Sequence, residues 1–471
     1  MQTPDIEAAI KALSHLDLDT NAVTVRQKSR DFFWYSPVLK ARLDHVVADF
    51  TVAPRTEAEV IEVLTVCHAH GVPVTTRGAG TGNYGQAMPL AGGCVMHLVH
   101  MNAVKEVHPG RVIAEPGCLL KDLDAHCIAD SGQEIRMFSS TWATATIGGF
   151  IAGGSGGVGS VRWGQLRDLG NIIRLRVVTM EAEPRVLDFT GEELARVSHA
   201  YGTNGIITEV EIPLAPAYEW VDVAVAFDDF SDAISFSYDL AKEDGILVKL
   251  ITPHEAPIAH RYFQRFKTVV DETTSLVMVM VAPHSLPGFE TFLARRGAGS
   301  ITYRSDDNKL ERHPGHLFEY GWNHTTLRAL KVDPTITYLQ VRYGGENPSA
   351  QVEAIREMFG EEVLQHLEVI RENGRVIFAG LPIVQFTSEE RLDEIVAKHE
   401  EIGCMVFNPH RYTLEEGGRQ TVDDRQLAFK READPKGLLN PGKMIAWDDP
   451  NYGFKEIYAY PGMQPPAEAA E

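Results

Sequence analysis

Residues 77–86 read RGAGTGNYGQ, and Gly78, Gly80 and Gly82 put three glycines into five positions directly after an apolar stretch, residues 72–76, that reads as a strand. A strand delivering such a loop lets successive backbone N–H groups converge on a diphosphate, because glycine turns sharply without a steric penalty. The loop is not the start of a Rossmann helix. Its spacing is not GxGxxG, no helical pattern follows within it, and no acidic residue stands about 20 positions later where a ribose is read. A Walker lysine is also missing. Taken alone, a glycine-rich turn also serves as plain structure.

A second segment, residues 146–168, reads TIGGFIAGGSGGVGSVRWGQLRD and holds eight glycines, too long a run for a turn. Such a run is expected to lie flat against a planar ligand. A third, YGTNGII at residues 201–207, leads into an expected strand at 208–212. Three glycine-rich loops at strand ends within one unit are far less expected by chance than one.

Outward from these loops, Thr56 with Glu59 forms a capping pattern, and Val60, Ile61, Val63, Leu64 and Cys67 make the apolar stripe of a helix ending near Gly71. Short strands at 95–99 and 112–114 and a helix at 119–131 continue the alternation to about Pro216. Beyond it glycine thins out. Strands at 220–227 and 276–281 and amphipathic helices at 230–244 and 388–402, the last started by Ser388, Glu389 and Glu390, predict an antiparallel sheet covered by helices. Residues 1–45 read as helical and then irregular, with Phe32, Phe33, Trp34 and Tyr35 expected to pack onto the body. The tail PPAEAAE, residues 465–471, is expected to fray.

With 44 Lys and Arg against 65 Asp and Glu, the formal charge of −21 opposes binding to a phosphate backbone, so no nucleic acid partner is expected. No apolar run of about 18 residues occurs, and the start MQTPDIEAAIKAL lacks the basic and apolar regions of a secretory signal. Cys67, Cys94, Cys118, Cys127 and Cys404 form no CxxC pair, which argues against a disulfide framework, a zinc site or an iron–sulfur cluster, and suits a reducing cytoplasm.

In these motifs the chain resembles the vanillyl-alcohol oxidase and p-cresol methylhydroxylase family, in the branch of the glycolate oxidase flavin subunit and D-lactate dehydrogenases. The likeness is clear over residues 45–218 and returns at DPKGLLNPGK, residues 434–443, which resembles the family's closing signature. It implies an α+β chain. A PCMH-type FAD-binding domain would span 46–218 after an N-terminal helical segment at 1–45, followed by a substrate or cap domain at 219–430 and a segment at 431–471 returning to the flavin. By the same resemblance Arg77, Gly78, Ala79, Gly80, Thr81 and Gly82 bind the FAD diphosphate. Thr146, Ile147, Gly148, Gly149, Gly153 and Gly156 lie along the flavin and ribityl chain, and Pro116 and Gly117 pass beside the isoalloxazine. Gly202, Ile206 and Ile207 meet the adenine side, and Asn440 and Lys443 return to the flavin edge. Thr81 stands where histidyl-linked members carry histidine, and no cysteine lies between Cys127 and Cys404, so noncovalent FAD is expected. The GDGN and EHG segments of the metal-dependent members are missing, residues 414–418 reading LEEGG, so no metal is expected.

Flavin oxidation of a C–H bond needs a proton acceptor, a substrate anchor and alignment with the flavin. Asn408-Pro409-His410-Arg411-Tyr412 offers His410 as base and Arg411 or Tyr412 as substrate contact; a surface histidine and ordinary salt bridges are the alternative. His324 beside Trp322 and Asn323, with Arg328 one turn on, is a second cluster, in which Trp322 suits a pocket wall or core packing. Arg342, with Tyr343 at the end of an expected strand at 336–341, could anchor a carboxylate. The leading expectation is an FAD enzyme that oxidises a small hydroxy acid or related alcohol by hydride transfer. An aryl alcohol or phenol oxidase and an electron-transferring flavin subunit of a larger complex are the alternatives. Oxygen, a quinone, a cytochrome or a partner subunit all stand open as electron acceptor, as does a homo-oligomer.

Overall fold

A computed structural model of the chain describes residues 3–307, 314–419 and 422–452. The tail expected to fray lies outside them, as does part of the expected closing segment. Helix and strand alternate through the described chain, an α+β architecture.

The first sheet has the order Leu18–Asp19, Phe50–Val52, Cys94–His97, Val74–Arg77. The two strands flanking Cys94–His97 run parallel to it. The helix Glu57–His70 packs on it with Val60, Val63, Leu64 and Cys67, begins at Thr56, whose hydroxyl accepts the Glu59 N–H, and ends at Gly71 with φ +66°. Residues 438–440 join this layer: the Val74 N–H donates to the Leu438 carbonyl and the Asn440 N–H donates back to that of Val74, while Leu438 and Leu439 enter its core. A second sheet is antiparallel, ordered Val104–His108, Arg111–Ala114, Ile206–Pro216, Arg174–Val178, Val186–Thr190, with Gln133–Ile135 on the far end of Ile206–Pro216.

After Pro216 the chain builds the expected helix-covered antiparallel sheet: Val248–His254, Ser275–Val281, Val221–Phe227 and Ser300–Arg304, under the helices Phe230–Leu240 and Leu286–Arg296. Two smaller sheets follow. One pairs Ile336–Tyr338, Ile383–Gln385 and Val363–Leu364; the other orders Leu367–Glu372, Arg375–Gly380, Val341–Tyr343 and Met405–Val406.

Two expectations change. Residues 146–168 do not lie flat but form the helices Ile147–Gly153 and Ser160–Trp163, because the Thr146 hydroxyl accepts the Gly149 N–H and Ile147, Phe150 and Ile151 share one buried face. The strand expected at 336–341 breaks after Tyr338 and resumes at Val341, where the chain passes to a different sheet.

Candidate functional site

The glycine segments approach closely where Gly78 and Gly148 stand, since a side chain at either would hit another segment. A methyl on Gly78 would collide with Thr146 Oγ1, and one on Gly148 would stand 2.9 Å from the Pro116 carbonyl oxygen. Gly80, at φ +70°, turns back onto the Arg77 guanidinium, which a side chain there would strike. Between the segments opens a cleft of about 1700 Å³ of non-protein space, solvent at its mouth included.

Gly78, Ala79, Gly80, Thr81 and Gly82 line this cleft, as do Thr146, Gly148, Gly149, Gly153, Gly156, Pro116, Gly202 and Ile207. Six other residues expected on the cofactor stand behind the lining as braces. Arg77 donates to the carbonyls of Arg30 and Ala79 and so shapes the loop from beneath. Gly117 is pressed against the backbone of Leu98 and Met101, while Ile147 and Ile206 fill the core. Asn440 Nδ2 donates to the carbonyls of Gln86 (2.8 Å) and Tyr201 (2.7 Å), tying the first glycine loop to the third. Lys443 Nζ donates to the Gly85 carbonyl at 2.5 Å, and its ammonium lies 5.0 Å from the Tyr412 ring centroid.

The N-terminal segment, expected only to pack, also reaches the cleft through Asp31, Phe32 and Tyr35. The Phe32 N–H donates to the Gly82 carbonyl at 2.7 Å, and Asp31 accepts the N–H groups of Phe33 (2.9 Å) and Ala87 (3.1 Å). Burial raises the Asp31 carboxyl and lowers the Lys443 ammonium, each countered in part by the other's charge. At the end contributed by the chain after Pro216, Trp322, Asn323, Gln340 and Phe407 close the wall, facing Tyr84 and Gln86 of the first loop. Tyr84 donates its hydroxyl to the Phe407 carbonyl at 3.0 Å.

The residues expected to do chemistry lie elsewhere. His410 is buried behind the wall, with Nε2 2.9 Å from the Tyr338 carbonyl and Nδ1 2.6 Å from Ser36 Oγ. The carbonyl must be met by an N–H, so Nδ1 accepts the Ser36 hydroxyl and neither nitrogen is free to take a substrate proton. Burial pulls this imidazole down to about 3. Arg411 pairs with Glu389 (2.9 Å) and Asp393 (3.6 Å), and Tyr412 packs under Lys443. The loop that carries them touches the cleft through Phe407 instead. Arg342 Nε meets both Glu372 oxygens, at 2.8 and 3.0 Å, so it is no free anchor. His324 falls outside the lining and is pulled down to about 4 by burial and by Arg328, while its neighbours Trp322 and Asn323 line the cleft. Glu415, in the LEEGG stretch, accepts the N–H groups of Ile445 and Ala446.

Sequence reasoning missed Asp31, Tyr84, Gln86, Gln340 and Phe407. Tyr84 and Gln86 stood in the quoted loop itself; the other three carry no local signal. The fit to a flavin nucleotide is supported by two buried donors in the lining that lack a partner, Thr76 Oγ1 and Trp322 Nε1, and by Gly153, where a methyl would meet nothing nearer than 3.7 Å. Among the described residues no helix is long and apolar enough to cross a membrane.

Comparison with known proteins follows the same line. The model of an FAD binding domain matches residues 48–188. An uncharacterized FAD-linked oxidoreductase of Mycobacterium tuberculosis (strain ATCC 25618 / H37Rv) is 32% identical over 199 residues, which cover 40% of this chain and 42% of that one. The glycolate oxidase subunit GlcD of Bacillus subtilis (strain 168) is 31% identical over 445 residues, 85% of this chain and 89% of GlcD. In fold, a solved alkyldihydroxyacetonephosphate synthase superimposes with a TM-score of 0.70 at 14% identity, covering 94% of this chain and 86% of that one. With glycine segments, cleft and near full-length similarity in agreement, the chain belongs to the family of FAD-linked oxidoreductases that includes GlcD.

Proposed function

We propose that the chain holds FAD noncovalently in this cleft and oxidises a CH–OH group of a small hydroxy acid or related alcohol. The observation that carries the reading is the continuity of the cleft, from the glycine loops of residues 78–82 and 146–156 to the wall of Trp322, Asn323, Gln340 and Phe407. FAD, when bound, supplies the two-electron acceptor for the hydride. The backbone N–H groups of residues 78–82 would hold the diphosphate, and Asn440 and Lys443 brace the end of that loop through the carbonyls of Gln86 and Gly85. Asn323, Gln340 and Gln86 offer neutral amides to orient the substrate. Asp31 brings a carboxylate to the cleft that can take the alcohol proton on Oδ1 or Oδ2. Thr81 supports noncovalent attachment, and the five cysteines, all free and buried, suit a reducing cytoplasm.

Two other readings have support. Phe32, Tyr35, Tyr84, Trp322 and Phe407 are among the aromatic residues of the lining, and no lysine or arginine appears in it among the described residues, which favours a neutral aryl alcohol or phenol. GlcD is named as a subunit, which favours an electron-transferring role beside a partner chain. An anaerobic screen of glycolate, D-lactate and a benzylic alcohol, following flavin bleaching in the purified chain, separates them. Bleaching by a hydroxy acid supports the leading reading. Bleaching by the aryl alcohol alone replaces it with the second. Flavin that none of the three reduces, but that takes electrons from a co-purifying chain, supports the third.

A further inference from the structure

Trp322 precedes the helix Asn323–Val332 at φ +50° and ψ −143°, a conformation that a bulky residue adopts only where its surroundings hold it. What holds it is a carboxyl from a distant strand: the Trp322 N–H donates to Glu368 Oε1, in Leu367–Glu372. Gly321 permits the approach, since a methyl there would stand 2.8 Å from that oxygen. The carboxyl is fixed by His366 Nε2 at 3.0 Å, which lies 3.1 Å from the Thr252 hydroxyl and 3.2 Å from that of Thr325. The His366 ring stacks on His254, centroids 4.6 Å apart.

Glu368 is fully buried, and its Oε2 has no partner. Burial pushes its carboxyl up to about 8 and pulls His366 down to about 3, each toward its uncharged form, in which Glu368 Oε1 meets the Trp322 N–H as a carbonyl-type acceptor. A buried acid without a cation and a strained tryptophan are each unfavourable, and they meet at one hydrogen bond. On its far side is the cleft. The Trp322 ring faces Gly156, where a methyl would stand 3.2 Å from it, and Asn323, next in the chain, lies 3.4 Å from Gln340 Nε2 through its Oδ1.

We propose that Glu368 is a positioning residue of the cleft: by accepting the Trp322 amide it holds Trp322 and Asn323 as the wall that faces bound cofactor and substrate. The inference rests on the cleft being the FAD site.

The test compares Glu368→Gln, which keeps a neutral oxygen acceptor at the same reach, with Glu368→Leu, which removes it at similar volume. Trp322→Phe serves to isolate the Trp322 signal. Tryptophan emission with and without FAD, visible circular dichroism of the bound flavin and steady-state kinetics are read for each. Glu368→Gln is expected to match the unmodified protein in emission and dichroism and within twofold in FAD affinity. Glu368→Leu is expected to shift the Trp322 share of the emission, alter the flavin dichroism and raise KM about tenfold, with kcat within threefold. Unchanged emission and dichroism in Glu368→Leu, or equal damage in Glu368→Gln, overturns the inference. Should Glu368→Leu fail to fold, Glu368→Asp, which withdraws the acceptor by one methylene, must give the same emission shift. If the protein takes up no FAD, the cofactor reading fails, while the emission of the flavin-free variants still decides the role of Glu368.

Discussion

Gly148 and Gly153 belong to one helix, Ile147–Gly153, and both line the cleft, yet their substitution should have opposite consequences. A methyl on Gly148 points at Pro116, 2.9 Å from its carbonyl oxygen and 3.0 Å from its α-carbon, and rigid backbone must move to admit it. That movement also stretches the Gly148 N–H to Pro116 carbonyl bond of 2.9 Å. Overpacking costs about 1–3 kcal/mol and a lost buried hydrogen bond about 1 kcal/mol, so Gly148→Ala should destabilise the flavin-free protein by roughly 2–4 kcal/mol. A side chain on Gly153 first meets Gln86 at 3.7 Å, ordinary contact, and then enters the cleft. Gly153→Leu should leave flavin-free stability within about 1 kcal/mol, since leaving glycine in a helix is worth at most that much. It should still lower FAD affinity at least tenfold, because the leucine occupies the ligand's space. Urea unfolding of the flavin-free proteins and FAD titration measure the two effects separately. Full FAD affinity in Gly153→Leu would refute the cleft assignment, and unchanged stability in Gly148→Ala would refute the packing argument.

Three further outcomes are expected. His410→Ala strands the Ser36 hydroxyl and the Tyr338 carbonyl, so it should cost about 1–3 kcal/mol of stability while the rate of flavin reduction per bound FAD stays within threefold; a hundredfold fall would restore His410 to the chemistry. Acid precipitation should leave the flavin in the supernatant, since Thr81 offers no covalent link, and flavin retained by the pellet would contradict this. Burial raises Asp222 from 3.8 to about 7, so the stability it contributes is full below 3.8 and is lost as pH rises through about 7. Asp222→Asn removes that loss, and its stability relative to the unmodified protein should rise with pH by up to about 1.4 kcal/mol per unit across that window; a pH-independent difference would refute the assignment.

The glycine loops and the alternation before Pro216 were legible because they depend on local constraints. Gly71 and Gly80 sit at φ +66° and +70°, and Thr56 caps its helix within four residues. Even so, the run at 146–168 was misread as flat, since its count of glycines hid the spacing of Ile147, Phe150 and Ile151 that makes it helical. Asn440 and Lys443 were found by their motif, but their work as braces on Gln86, Tyr201 and Gly85 is a matter of three-dimensional placement.

By itself, then, the sequence determined three glycine-rich loops at strand ends and an α+β chain around them, because backbone freedom and side-chain periodicity are properties of neighbouring residues, and it was the resemblance of those motifs to a known family that pointed to FAD. Only the tertiary structure decided which polar groups reach that cleft. His410, Arg411 and Arg342 had the right chemistry, but Ser36, 374 residues from His410, and Glu389 and Glu372 satisfy them away from it. Asp31, Gln340 and Trp322 were brought in instead. A buried polar group goes where its partner is, and that partner can come from anywhere in the chain, so no local reading of the residues could have chosen between them.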